Sequence, residues 1–303
     1  MNYACLCVGT ADLEASLRLW RNTLGLQSAA PQGDTLSSRQ LERLWLLPEG
    51  VITQCQMLET PGAPGGALLL VEFPPGTRSI RANAAVTDLC PKNIDVNVID
   101  LPARARELQA AGYRLRSEPV EYAIGDLQVR EVHVPVEEGV NLVLVEILGE
   151  PLVTTSRHYA AVTSVVTTTA DTVAESAFFE CLGFSRLDYH RLVGETVERM
   201  VGLRPGGVLE MQLLGDATHR FGRAELVSYG VDCGSDLYPR AVPPALGLFR
   251  GAIRVDNVAT LRAGCLNAGY AVSGLQDLSA GEESFLACSV QSPSGWMVDL
   301  LPA

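Results

Sequence analysis

Two stretches of this chain align with each other without a gap, and no other feature restricts its fold so tightly. Asn93–Leu115 reads NIDVNVIDLPARARELQAAGYRL, and Arg250–Val272 reads RGAIRVDNVATLRAGCLNAGYAV. Val98 falls on Val255, and Ala111-Gly112-Tyr113 falls on Ala268-Gly269-Tyr270. Each copy reads as an alternating strand, an acidic cap, a helix with an apolar stripe and a glycine stop. A chain that repeats a strand–helix unit buries each copy against another, so the fold is set by how many copies there are.

Two more copies complete the pattern. First strands are expected to start near positions 3, 93, 161 and 250, with Tyr3–Val8 and Ala161–Thr167 supplying the other two. After Tyr3–Val8, Asp12 is placed to cap a helix whose Leu13, Leu17, Trp20 and Leu24 share a face, and Gly25 ends it. In the opening repeat Asp100 caps, Pro102 sits in the first turn, Leu101, Ala105 and Leu108 form the stripe, and Gly112 stops it. Ala170–Cys181 is the third helix. Further strands are expected at Val51–Leu58, Ala67–Phe73, Leu127–Val136, Asn141–Leu148, Val208–Leu214, Ser284–Val290 and Trp296–Leu300, with 28–66 otherwise irregular. The expected fold class is α+β: four βαβββ modules in tandem pairs, each half a cupped mixed or antiparallel sheet around a cleft with helices outside. Residues 1–148 form an N-terminal domain, 149–157 a linker and 158–303 a C-terminal domain.

Composition removes whole classes of partner. The net charge of −12 disfavours nucleic acid and anionic membranes, which require clustered Lys and Arg. Lys92 is the only lysine among 23 basic residues, and the sequence alone attaches no role to it. No run approaches the ~20 apolar residues of a spanning helix, and Met1 is followed by no leader-like pattern, so a cytoplasmic protein is expected. The eight cysteines include no C-x-x-C pair and read as buried thiols. P-loop, G-x-G-x-x-G, G-x-S-x-G and H-E-x-x-H motifs are absent. The Gly62–Gly66 and Pro205–Gly207 clusters precede strands rather than helices and do not cradle phosphate.

Certain motifs resemble the vicinal oxygen chelate superfamily, the fold of glyoxalases, bleomycin-resistance proteins and extradiol dioxygenases. Asp12-Leu13-Glu14-Ala15-Ser16-Leu17-Arg18-Leu19-Trp20 with Leu24-Gly25-Leu26 is similar to that family's first helix and stop, and Ala177-Phe178 with Leu182-Gly183-Phe184 repeats it. Ser292-Pro293-Ser294-Gly295-Trp296-Met297-Val298-Asp299 resembles its closing strand. The resemblance implies a small-molecule ligand in a cupped cleft. It also implies, in metal-binding members, a histidine on the first strand and a glutamate on the last. At the first-strand positions this chain has Tyr3, Asn93, Ala161 and Arg250. The last-strand counterparts are Glu72, Glu146, either Glu210 or Gln212, and Asp299. The expectation is therefore no cofactor, with a divalent Fe or Mn ion as the alternative.

Strand parity then nominates cleft residues. Asn93, Asp95 and Asn97 share one face against Ile94, Val96 and Val98, and Tyr3, Cys5 and Cys7 follow the same parity. The expected catalytic groups are Asp95 or Glu72 as base, with Tyr3 or His190 as acid. Asn93, Asn97, Arg250, Arg254 and Asp299 are the expected substrate contacts, the arginines anchoring an anion; pairing of Asp299 with an arginine is the structural alternative. The function expected is metal-independent proton transfer (isomerase, lyase or ring opening and closing) on an organic acid or oxygenated ring compound. The alternatives are a binding protein that sequesters a small molecule, or an extradiol-type dioxygenase with displaced ligands. A homodimer is left open.

Overall fold

All four modules begin alike, because a strand followed by Asp or Asn at a helix N-cap recurs at each. The computed structural model describes residues 1–29, 36–278 and 284–303. In the first module β1 (Cys5–Thr10) leads to α1 (Leu13–Leu17), whose N-cap Asp12 accepts from the Ala15 amide. Strand β2 (Gln27–Ser28), α2 (Ser38–Leu44), β3 (Gln54–Glu59) and β4 (Ala67–Glu72) follow. Helix α2 lies in the stretch expected to be irregular. Its signal is a Ser37–Gln40 capping box, which satisfies two amides at its start.

The second module is β5 (Pro91–Val98), α3 (Leu101–Ala110) capped by Asp100, β6 (Val120–Ile124), β7 (Leu127–Pro135) and β8 (Asn141–Ile147). The third is β9 (Tyr159–Thr168), α4 (Thr172–Cys181) capped by Asp171, β10 (Ser185–Val193), α5 (Glu195–Val201), β11 (Val208–Gly215) and β12 (Arg223–Ser228). The fourth is β13 (Gly247–Val255), α6 (Val258–Asn267) capped by Asn257, β14 (Ala271–Val272), β15 (Gln276–Asp277), β16 (Leu286–Gln291) and β17 (Met297–Pro302). Gly112 and Gly269 end the two aligned helices at φ +98 and +87, a left-handed conformation that favours glycine. Residues 149–157 carry neither helix nor strand.

The α+β class with four modules, two mixed sheets and flanking helices is what the chain adopts. The pairing of modules crosses the sequence halves. Strand β1 lies antiparallel to β13, and β5 antiparallel to β9. One sheet runs β14-β16-β17-β13-β1-β4-β3-β2, with β15 pairing β16, and joins the first module to the fourth. The other runs β10-β11-β12-β9-β5-β8-β7-β6 and joins the second to the third.

Alternation assigns the faces. Leu68 and Leu70 of β4, Ile94 and Val96 of β5, and Leu142 and Leu144 of β8 enter one continuous core with Phe178, Phe179 and Trp296. The opposite faces form the clefts. In the first-and-fourth sheet that cleft is filled: α2 lays Leu41, Leu44 and the following Trp45 against Cys5, Cys7, Val71 and Phe249. Where β1 begins, the Tyr3 ring lies against Gly251, so that a Cβ there would stand 2.4 Å from Tyr3 Cε1. Because Tyr3 is fully buried, Gly251→Ala is expected to cost about 1–3 kcal/mol through overpacking, measured as a lowered urea midpoint. An unchanged midpoint would show that the ring yields freely.

Candidate functional site in the second-and-third sheet

The second sheet curls until its two edges approach: a Cβ on Gly125, in the β6–β7 turn, would lie 3.9 Å from His190 Cε1 on β10. The curl encloses a cavity of ≈ 220 Å³. Helix α5 contributes Met200 and Val201 to the lining, and Val143, Val145 and Val227 form part of an apolar wall. A mostly apolar concavity holding a few converging polar groups is the usual form of a small-molecule site.

Those polar groups come from strand alternation. Asn93, Asp95 and Asn97 of β5 all line the cavity, as their parity requires. Register sets Asp95 beside Ser164 of β9 and Ser164 beside Arg223 of β12. Ser164 Oγ donates to Asp95 Oδ2 at 2.7 Å and lies 3.5 Å from Glu225 Oε2. Among the described residues, Asp95 Oδ1 is buried without a hydrogen-bond partner. Burial, then the neighbouring charge of Glu225, pushes the Asp95 carboxyl well above its ordinary range. Burial, then the charge of Glu131, raises Glu225 to about 7. Burial and like charge thus shift both carboxyls toward their protonated forms.

A second polar chain stands on β7 and β8. Asn141 Nδ2 donates to Asn93 Oδ1 at 3.0 Å and to His133 Nδ1 at 3.0 Å. An amide nitrogen only donates, so the neutral His133 carries its proton on Nε2 and gives it to Glu131 Oε1, 2.8 Å away. Burial lowers the His133 pKa against the pull of Glu131. Tyr122 donates its hydroxyl to the other Glu131 oxygen. Toward one end, Lys92 Nζ meets the Tyr229 hydroxyl and lies 4.8 Å from the centre of that ring.

The residues nominated from sequence do not converge on one place. Asn93, Asp95 and Asn97 are together in the cavity, and His190 lines it from β10 while pairing with Asp188 at 2.8 Å. Glu72 is elsewhere: its carboxylate accepts from the Leu13 amide at 2.8 Å and from Gln54 at 3.1 Å, supporting the start of α1. Glu146 does the same for Asp100 and Leu101 at the start of α3. The reason is parity, since Glu72 follows Leu68 and Leu70, and Glu146 follows Leu142 and Leu144, on the helix-bearing face. Tyr3 is enclosed by Phe179, Phe184 and Trp296, and its hydroxyl accepts from Trp296 Nε1 at 2.8 Å. Burial raises its pKa well above the usual value. Arg250 and Asp299 form a buried ion pair at 2.6 Å in the filled cleft, so the structural alternative holds there. Arg254 donates to the Pro302 carbonyl at 2.9 Å.

Sequence reasoning alone misses Glu225, Ser164, Glu131 and Lys92. A signal for Glu225 exists, because the module plan demands a further strand after Val208–Leu214, and RAELVS alternates as one. Glu210 and Gln212, the counterparts expected from sequence, sit on β11, whereas β12 is the module's last strand.

No family model matches the sequence, and no curated protein matches it. Solved structures match along its whole length. Glyoxalase I from Zea mays matches with a TM-score of 0.65 at 14% identity, over 99% of this chain and 92% of that one. A provisionally assigned dioxygenase from Bacillus subtilis subsp. subtilis str. 168 matches at 0.58 with 11% identity, over 100% and 85%. The cppA protein from Streptococcus pneumoniae TIGR4 matches at 0.50 with 10% identity, over 100% and 99%. These likenesses establish the fold, which is the vicinal oxygen chelate fold of glyoxalase I and the dioxygenases in its two-sheet tandem form.

That fold implies a metal in many of its members, and the residues here do not fit one. The first strands of the curled sheet carry Asn93 and Ala161 at the ligand positions, and its last strands carry the outward-turned Glu146 and the cavity-lining Glu225. Glu131 is engaged by His133 and Tyr122, and Asp95 is bridged to Glu225 through Ser164. Among the described residues no group of three or more His, Cys, Asp or Glu side chains is placed to hold an ion. Among them, too, no helix is long and apolar enough to cross a membrane.

Proposed function

We propose that the cavity of the second-and-third sheet is an active site for metal-independent proton transfer on a small oxygenated organic molecule, with the Asp95–Glu225 pair as the proton-transfer unit. The observation that carries this reading is the pair itself: a buried Asp95 and a half-buried Glu225 bridged by Ser164, with one Asp95 oxygen unpartnered among the described residues in a mostly apolar cavity. A carboxylate relieved of water and held near neutrality by a like charge is suited to removing a proton from carbon beside a carbonyl, and its partner to returning one. The anion anchor expected of Arg250 and Arg254 passes to Arg223. Among the described residues its Nε is buried without a partner, and it lies in the same row as Asp95 and Ser164. A carboxylate on the substrate would meet that guanidinium while its reacting carbon meets Asp95.

Deuterium exchange tests the reading before any substrate is identified. The protein is incubated in D2O with aliphatic and aromatic ketones, 2-oxo acids and lactones, and exchange beside the carbonyl is followed by proton NMR. The expected result is catalysed exchange in one class, slowed by about 10²–10⁴ in Asp95→Asn, the usual worth of a positioned base. Exchange at the wild-type rate in both Asp95→Asn and Glu225→Gln would sink the assignment. Compounds that raise the melting temperature but never exchange would establish sequestration instead.

A further inference from the structure

We propose that Lys92 is a carbonyl-capturing amine, which binds an aldehyde or ketone covalently in the cavity as a Schiff base. The inference deepens the active-site reading and rests on the cavity being a ligand site, but it concerns a different atom and has its own readout.

Four observations carry it. Lys92 is the chain's single lysine, while every other basic side chain apart from histidine is arginine. It is 2% exposed, yet it lines the cavity that holds the carboxyl pair. Among the described residues its Nζ makes no ion pair. Its hydrogen bond goes to the Tyr229 hydroxyl, although Asp95, Glu131 and Glu225 line the same cavity. Lastly, the charges of Arg81 and Arg116 act against its own, opposed by Cys90 and Asp95, and the balance with burial is against the ammonium.

A buried ammonium that makes no direct ion pair is disfavoured, and nearby guanidinium groups disfavour it further. Burial, followed by the charge of Arg81, accordingly lowers the Lys92 pKa to about 7, where much of the amine is neutral and nucleophilic. Arginine fills the structural cation positions elsewhere in the chain but cannot lose its proton in this range. A lysine is the side chain this position requires if a free amine is its purpose.

The chemistry balances with groups already present. The Nζ lone pair attacks the carbonyl carbon, a C–N bond forms, and the carbonyl π pair moves to oxygen. That oxygen takes the proton leaving nitrogen, with the Tyr229 hydroxyl placed to relay it, to give a carbinolamine. Protonation of this hydroxyl and loss of water yield the iminium. The iminium acidifies the adjacent C–H, whose proton passes to the Asp95–Glu225 pair while its electrons form an enamine. Water reverses the sequence and frees the amine.

Reductive trapping tests this on the wild-type chain. The protein is incubated at pH 7 with benzaldehyde, pyruvate or cyclohexanone and sodium cyanoborohydride, which delivers hydride to the iminium carbon. The intact mass is read, and the modified site is mapped by proteolysis. With one lysine, the only competing amine is the N-terminus, so assignment is unambiguous. The expected result is one adduct on Lys92, formed at least ten-fold faster than on the urea-unfolded chain and absent from Lys92→Arg. Labelling confined to the N-terminus, or equal rates on folded and unfolded chains, would overturn the proposal. Deuterium exchange without trapping would also overturn it, leaving the carboxyl pair as base. Trapping at Lys92 without exchange would support it and remove only the base reading. Tyr229→Phe, which keeps the ring under the amine, is expected to slow trapping several-fold and retain the site.

Discussion

Asp299→Asn should be among the most destabilising isosteric changes available in this chain, costing about 3–5 kcal/mol, because it leaves the Arg250 charge buried and uncompensated. Arg250 is 4% exposed and Asp299 2% exposed. One carboxylate oxygen accepts from Arg250 at 2.6 Å and from Ser289 at 2.6 Å, and the other accepts from Trp45 Nε1 at 2.8 Å. The guanidinium also lies 5.1 Å from the Trp45 ring centre, so the charge pair and the tryptophan that fills the first cleft are one assembly. Unfolding by urea, monitored through Trp45 and its neighbours, measures the loss. The double variant Arg250→Met with Asp299→Leu should recover most of it, since a buried ion pair exchanged for apolar groups of similar volume is often neutral or better. Failure of the double variant to recover, with Asp299→Asn itself near wild type, would show that shape rather than charge governs the site.

The second large effect is on pH dependence. Glu225 sits at about 7 in the folded protein against an ordinary 4.5, raised chiefly by burial and then by the charge of Glu131. Between those values the native state keeps a proton that the unfolded chain has released. Its contribution is therefore fully present below pH 4.5 and is lost as pH rises through 7, on the order of 3 kcal/mol. Lys92 has the opposite sign in the next window. Its folded value of about 7 lies below 10.5, so the unfolded chain binds the extra proton and stability returns as pH rises toward 10.5. Wild type should thus lose stability relative to Glu225→Gln from about pH 5 to about pH 7, measured as the difference in urea midpoints. Parallel profiles for the two proteins would refute the placement of this proton.

Much of the fold was legible because its signals are local. Asp12 and Asp100 announce helix starts through their own side chains, and the Ala-Gly-Tyr triplets announce the stops. The facing of Asn93, Asp95 and Asn97 follows from the two-residue period of a strand that carries Ile94, Val96 and Val98 opposite. What stayed hidden was non-local. Every first strand has the same apolar parity, so nothing in β1 distinguishes β13 from β9 as its neighbour. Glu72 and Glu146 resemble last-strand ligands in composition, and only the register of β4 and β8 turns them toward the helices. Lys92 looks like a compositional accident until Arg81, Arg116 and Tyr229 are brought around it, the last from 137 positions away. In the same way, α2 converts one of two similar clefts into core, and its capping box lies in a stretch whose composition reads as loop.

The crossing of strand pairs between the halves nests one sheet inside the other along the chain, like inner and outer brackets. Every strand of the curled sheet lies between Pro91 and Ser228. That sheet can close as soon as its last strand leaves the ribosome. Strand β1, made first, must wait for β13 at Gly247–Val255, so one of its edges stays open through most of synthesis. An open edge invites wrong partners. Here the waiting strand is short, and on its other side it pairs early with β4 of its own module. The candidate active site therefore belongs to the part of the molecule that can assemble first, and the filled cleft to the part that completes the chain.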